Sequence, residues 1–431
     1  MAESKPLRVA VVGGGIAGLS LAVGIIQEIN KGANLELTVY EQASKFAEIG
    51  AGVSLGPNSQ RALFALGLEE QVRKLGSSPK ETHDLWFEWR FAETSHPRCG
   101  ELITTITGDG AGNGHVHRAD FLDRLLDLVP SKYCSNGKRV VDYESYSDRA
   151  ILKFADGTTA ETDLIVACDG VKSLLRKSLY TKKGEDMSKQ QEKYAEWIAW
   201  RGLIPADKYT EAIGTPPVFS TMWLGLDRHI LTFPVKGGQM ANLVGFVRDP
   251  EHKKIHGQTG PWQENRPIEE MLEDYKGFND KCVNLMKAIP NPSIWGIFDL
   301  PALPFSVGER IVLAGDAAHG TTPHQGAGAG QATEDALFLA RLLGSPNVSK
   351  SQSPEKLQKA LELYQRYRHE RAAQVQITSA QAGLLYEGRG VKGEGQDFDK
   401  VKANLDDRMK WIWDYDINGN VKRMLEEAEK L

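Results

Sequence analysis

The sequence predicts an α/β fold: a parallel sheet with a helical crossover at its start, an inserted β-sheet region, and a run of helices at the C-terminal end. Three observations point there. The apolar run Leu7 to Val12 meets a glycine cluster and then residues at helical spacing. Two tryptophan-rich stretches of strand-like pattern interrupt the chain. From about residue 355 onward helical patterning dominates.

Leu7 to Val12 is the first strand, Leu19, Val23 and Ile26 share one helical face, and Leu35 to Tyr40 is the second strand. Such a βαβ unit makes its strands parallel and its crossover right-handed. Strand patterns then run from about 80 to 110 and from 195 to 300, as in Asp84 to Phe91 and Arg228 to Val235. They read as two pieces of one β-rich domain around an aromatic-lined space. Between them, residues 150–170 give a hairpin tipped by Asp156-Gly157, followed by the apolar strand Leu164 to Ala167. A further strand, Ile311 to Ala314, leads into a glycine-rich turn and a helical pattern through Leu343, while Gly108 to Gly114 and Gly344 to Pro354 are loop-like. The expected partition is 1–79, 112–194 and 301–355 for a discontinuous nucleotide-binding domain, 80–111 and 195–300 for a substrate domain, and 356–431 for a C-terminal helical segment.

With 431 residues, two domains or a domain with large insertions is the expectation, and 41% apolar with 25% charged residues excludes a disordered chain. A net charge of −5 with scattered basic residues speaks against nucleic acid. Cys99, Cys134, Cys168 and Cys282 form neither a CxxC pair nor a metal-ligand spacing, so no metal is expected and the thiols read as reduced, in a cytoplasmic protein. Leu7 to Val12 is too short for a signal-peptide core, and no stretch reaches the length of a spanning helix.

Gly13-Gly14-Gly15-Ile16-Ala17-Gly18 matches GxGxxG directly after a strand and before a helix. Residues without side chains let the backbone approach a pyrophosphate, which the free N–H groups and the positive helix end then hold. Glu41 closes the second strand about 20 residues further on, where a carboxylate accepts from a ribose diol. The motif marks an adenine dinucleotide without separating FAD from NAD.

Two further motifs separate them. Cys168-Asp169-Gly170, with Ser173 and Arg176, looks like the DG motif of flavoprotein hydroxylases, and Gly315-Asp316-Ala317-Ala318-His319, running on to Pro323-His324-Gln325-Gly326-Ala327-Gly328-Ala329-Gly330, looks like their GD motif. On these motifs the chain resembles the group A (class A) flavoprotein monooxygenases, in particular their salicylate hydroxylase-like branch, over nearly its whole length. The resemblance implies a Rossmann-like FAD-binding domain of the glutathione-reductase type. It implies that Asp316 hydrogen-bonds the ribityl or ribose hydroxyls and that Gly326, Gly328, Ala329 and Gly330 bring helix N–H groups to the flavin pyrimidine end. A reduced flavin is anionic there, and a helix N-terminus stabilises an anion. Arg118 matches the family arginine that reaches back to the cofactor; the plain alternative is an exposed arginine opening a helix. Gly52 and Asp169 complete the expected cofactor set.

On Arg228 to Val235, His229, Leu231 and Phe233 share one face by alternation. Related hydroxylases commonly show His-x-x-x-Tyr-Pro here, and this chain has Phe233 before Pro234, without the phenol. Orientation of substrate then falls to Arg201, whose planar donor fork suits a carboxylate or phenolate, with an ordinary strand ion pair as the alternative. His229, and His324 beside Pro323, are candidates for proton transfer, since imidazole titrates near neutrality, or are satisfied structural histidines. Trp86, Trp89, Trp197, Trp200 and Trp223 read as core.

The resemblance implies reduction of FAD by transiently bound NADPH or NADH, reaction with O2 to a flavin C4a-hydroperoxide, and attack on an electron-rich, phenolic or salicylate-like ring. Carboxylate at the attacked carbon would leave as carbon dioxide, and alkyl there would give a dearomatised dienone, as with phenolic polyketide-type substrates. A flavin oxidase or nicotinamide dehydrogenase would share the first fingerprint without needing the DG and GD pair, and a non-catalytic flavin-binding protein would keep the cofactor residues and lack a productive pocket. The expected partners are a small aromatic substrate, O2 and NAD(P)H, with no nucleic acid and no membrane, in a monomer or homodimer.

Overall fold

The computed structural model describes residues 5–44, 52–75, 85–108, 114–255, 263–351 and 353–431. Its first sheet has six strands in the order Val307–Gly308, Ile311–Leu313, Leu164–Ala167, Leu7–Val12, Leu35–Glu41, Cys134–Asn136. Neighbours run parallel, apart from the antiparallel edge pair Val307–Gly308 and Ile311–Leu313. Both faces are covered, which is why Leu7–Val12 is continuously apolar. Val9 and Val11 enter a core shared with the helices Ile16–Asn30 and Gly328–Gly344, whereas Ala10 and Val12 enter the core beneath the helix Leu174–Lys182 and a three-stranded sheet. The two helices approach closely at Gly24, where a Cβ would stand 2.6 Å from Ala340 Cβ.

The second sheet has eight strands, ordered Gln263–Asn265, Ser293–Asp299, Lys193–Pro205, Met240–Arg248, Arg228–Val235, Ser220–Leu224, Leu85–Phe91, Leu102–Thr107. Period-two alternation sends its side chains to two cores. Trp200, Ile230 and Leu243 pack beneath the helices Ala206–Ile213, Ile268–Asp274 and Asp280–Lys287. Trp197, Phe233, Val244 and Phe246 pack on the opposite face, and further along it Trp86, Trp89 and Met222 meet Val375, Ala382 and Tyr386 of the helix Pro354–Tyr386. All five tryptophans expected in the core are buried.

The hairpin around Asp156-Gly157 joins Ala150–Phe154 to Thr159–Thr162. Two readings differ. Cys134–Asn136 forms an edge strand that three residues are too few to signal by periodicity. The Gly344 to Pro354 stretch is not all loop: Pro346–Ser349 is a helical turn opened by its proline, and Ser353 caps the long helix by accepting from Lys356 N. Asp84 and residues 109–113 lie outside the described residues. The four cysteines are unpaired, with Cys168 and Cys282 buried. Among the described residues no helix is long and apolar enough to cross a membrane.

Candidate active site

The glycine turn is built for close approach. Gly13 has φ +110°, and a Cβ on it would stand 2.3 Å from Cys168 O, so Gly13 seats the turn against the neighbouring strand. A Cβ on Gly18 would stand 2.0 Å from Gly13 O, whereas one on Gly15 would meet nothing within 4 Å. Gly13 and Gly18 therefore serve packing, and Gly15 opens the space where a phosphate can come down. Gly15 is also the N-cap of Ile16–Asn30, and no side chain caps that helix. Glu41 accepts from Gly14 N at 2.7 Å and from Ala43 N at 2.8 Å, which aims its carboxylate at the turn.

Gly315 takes φ +59° and puts the GD turn against Ala17. The turn is held from behind by buried charge. Asp335 accepts from Gly315 N at 2.9 Å, His319 Nε2 at 2.6 Å and Arg368 Nε at 2.8 Å. Arg368 also pairs with Glu334, which accepts from Arg371 Nε and from Asn58 Nδ2 at 2.8 and 2.7 Å. Burial alone would raise the Asp335 carboxyl, but His319 and Arg368 outweigh it and hold it below the usual carboxylate range. Asp316, at the start of the next helical turn, is exposed, and its carboxylate bonds no other described residue.

One cavity of about 360 Å³ joins the two turns. Gly15, Ile16, Ala17, Gly52, Arg118 and Asp316 line its cofactor side, with Gly326, Gly328 and Ala329. Arg201, Leu231, Phe233, Asn242, Val244 and Phe246 line the sheet side, with Pro323 at the junction. Free helix N–H groups, side-chain-free approach at Gly15 and an unengaged carboxylate at Asp316 fit FAD. A larger cavity of about 530 Å³, bordered by Glu88, Arg90 and Trp223, opens on the opposite face of the eight-stranded sheet and holds none of the motif residues.

Arg201 makes no ion pair among the described residues, its Nε has no hydrogen-bond partner, and its guanidinium lies 4.8 Å over the Trp295 ring. Burial, and secondarily the Arg118 charge, push it down to about 10, so it remains a cation at neutral pH. A Cβ on Gly52 would stand 2.2 Å from Phe233 Cε2, so this glycine makes room for the ring that replaces the family phenol.

Four more expected site residues stand off the cavity lining, as Gly13, Gly18 and Glu41 do. Asp169 accepts from Ser173 Oγ at 2.6 Å and Leu175 N at 3.1 Å, tying down a helix start, while its neighbours Cys168 and Gly170 line the cavity. Gly330 packs on Asn58 in the first turn of the helix Gly328–Gly344. His229 is fully buried behind Phe246, 4.6 Å between ring centres, and its Nδ1 meets Glu387 Oε1 at 2.9 Å. His324 is buried against Trp197 and Phe246 at 4.9 and 4.8 Å, with neither ring nitrogen hydrogen-bonded. Neither histidine lines the cavity.

The FAD binding domain family matches residues 136–379, more than half of the chain. A salicylate hydroxylase of Pseudomonas putida is 38% identical over 423 residues, covering 96% of this chain and 93% of that protein. The chain belongs to the class A flavoprotein monooxygenases. As one of them it uses FAD to hydroxylate an aromatic substrate. A 6-methylsalicylate 1-monooxygenase of Aspergillus terreus is 36% identical over 429 residues, covering 97% of this chain and 91% of that protein. The solved structure of a salicylate hydroxylase substrate complex superposes with a TM-score of 0.85 at 37% identity, over 98% of each chain.

Sequence reasoning missed three groups in this monooxygenase. Asn242 lines the cavity, and its Nδ2 is buried without a partner. Thr321 and Thr322 line it beside Pro323, within the motif stretch already singled out. Glu387 lies 63 positions past His324 in the numbering and carries no motif signal at all.

Proposed function

We propose that the substrate is a small aromatic anion, a benzoate-type carboxylate with an ortho hydroxyl, and that Arg201 holds its carboxylate. The observation that carries this is a cationic, unpaired guanidinium facing the cavity, with Arg118 adding a second positive charge. The buried Asn242 Nδ2 offers a further donor. Leu231, Phe233, Val244 and Phe246 form apolar walls that accept the ring and exclude water. Bound FAD, held by the Gly15 turn, Arg118 and Asp316, supplies electron transfer and oxygen activation, with NAD(P)H as transient electron donor and O2 as oxidant. The names of the two relatives, salicylate hydroxylase and 6-methylsalicylate 1-monooxygenase, support this class. In this reading residues 80–111 and 195–300 form the substrate domain, set against a discontinuous flavin domain, in a monomer or homodimer.

Titration of the holoenzyme with salicylate, benzoate and phenol, read as a change in flavin absorbance, tests the proposal. Salicylate is expected to bind and phenol to bind far more weakly. Turnover of salicylate is expected to give catechol and carbon dioxide in equal amounts, whereas a dienone from an alkylphenol would favour the dearomatising reading. Arg201→Ala is expected to keep its FAD and lose about 10- to 100-fold in salicylate affinity, the worth of a charge-assisted contact. Unchanged affinity removes Arg201 from the site.

A further inference from the structure

Behind Phe246, on the side away from the cavity, lies a buried polar cluster made by three elements distant in sequence. Glu387 stands at the C-terminal end of Pro354–Tyr386 and is fully buried. Its Oε1 meets His229 Nδ1 at 2.9 Å and its Oε2 accepts from Trp197 Nε1 at 2.8 Å. No lysine or arginine bonds this carboxyl among the described residues. His229 Nε2 has no hydrogen-bond partner, and the ring packs between Phe246 and Tyr386, with the His324 ring centre 5.2 Å away.

The surrounding charges are few and set back. Asp227 and Arg389 are paired with each other at 2.7 Å at the surface, Arg248 lies 5.3 Å over the Trp197 ring, and Arg408 bears on His324. Tyr275 donates to Phe246 O at 2.9 Å from the sheet's other side. Nothing in that set fixes a negative charge on Glu387. A carboxyl facing Nδ1 then has two arrangements. Protonated, it donates to Nδ1 and leaves the His229 proton on Nε2. Ionised, it accepts from Nδ1–H and leaves Nε2 a bare lone pair.

We propose that Glu387 is a positioning residue of the hydroxylation reaction: the state of its carboxyl selects the tautomer of His229, so that loss of one proton from the pair appears as loss of the proton at Nε2. This rests on the aromatic-anion reading, because a phenolic substrate has a hydroxyl hydrogen to hold or give up, and the His229 ring stacks at 4.6 Å on Phe246, which lines the cavity, and stands 5.2 Å from the His324 ring of the Pro323–Gln325 turn. No imidazolium forms in either state. Burial pushes the Glu387 carboxyl up to about 8, with Trp197 opposing, and pushes His229 down to about 3, which places the exchange near neutrality.

The test is nitrogen NMR of histidine-labelled, FAD-loaded enzyme without substrate, followed across the neutral and mildly alkaline range, with the pH profile of salicylate hydroxylation alongside. One histidine is expected to hold its proton on Nε2 below pH about 8 and on Nδ1 above it. Glu387→Gln is expected to lose this switch and the matching limb of the pH profile while keeping FAD and salicylate affinity. Trp197→Phe, which removes the donor that opposes burial, is expected to move the switch upward. A wild-type tautomer that does not change with pH overturns the proposal, as does a Glu387→Gln enzyme with the wild-type profile. Should Glu387→Gln not fold, the wild-type titration and Trp197→Phe decide alone. If salicylate does not bind, the substrate reading falls while the substrate-free titration still judges Glu387.

Discussion

A methyl group at Gly383 would stand 2.6 Å from His324 Cδ2 and 2.7 Å from Nε2, so this helical glycine keeps the imidazole in place. Alanine favours a helix over glycine by about 1 kcal/mol, so Gly383→Ala is expected to stay folded and to show its effect at the ring. A crystal structure should find His324 displaced, with hydroxylation reduced and FAD content retained. His324 in its present position would count against the packing seen here. Asp316→Ala, by contrast, is expected to yield largely colourless protein, and a normal flavin spectrum would refute the cofactor placement. Both cofactor turns were legible in the sequence because backbone chemistry at glycine leaves a fixed spacing. The placement of His229 and Asp169 was not, since alternation assigns a face without saying what stands between that face and a cavity. Glu387 was invisible for a related reason: its meaning comes from meeting Trp197 and His229, and only the fold brings the three together.

The helices Gly328–Gly344 and Pro354–Tyr386 are joined by buried charge, with Glu334 and Asp335 on the first and Arg368 and Arg371 on the second. Removing one partner of such a set leaves another charge buried without compensation, which costs about 3–5 kcal/mol. Arg368→Leu is therefore expected to lower the melting temperature markedly and to loosen FAD, since Asp335 also holds Gly315 and His319. A leucine variant that melts and binds FAD as the wild type does would assign the GD turn another support. At this scale Leu7–Val12 and Arg228–Val235 followed from their apolar patterns and matched to the residue, whereas Lys193–Pro205 and Met240–Arg248 were legible only as part of a strand-rich stretch. Cys134–Asn136 and Pro346–Ser349 did not, because elements that short owe their form to neighbours and caps.

Across the whole molecule, acid sensitivity follows from imidazoles enclosed as neutral groups. Burial pushes His115 and His229 each down to about 3 from 6.5. Between those values the unfolded chain binds protons that the folded chain does not, so stability falls as pH drops from about 6.5 toward about 3, by on the order of 1.4 kcal/mol per pH unit for each group. The raised carboxyls of Glu387, pushed up to about 8 from 4.5, and Asp299, pushed up to about 6 from 3.8, work in the opposite direction, so the check is differential: denaturant melts at stepped pH should show a smaller loss on acidification in His115→Gln than in the wild type, and equal losses would contradict it. The helix Pro354–Tyr386 adds a mechanical property at this scale. Its 33 residues extend about 50 Å. Near its start Leu357 and Leu361 sit in the flavin-side core, and near its end Ala382 and Tyr386 sit under the eight-stranded sheet. A single stiff rod anchored in both halves makes their relative tilt a matter of bending that rod.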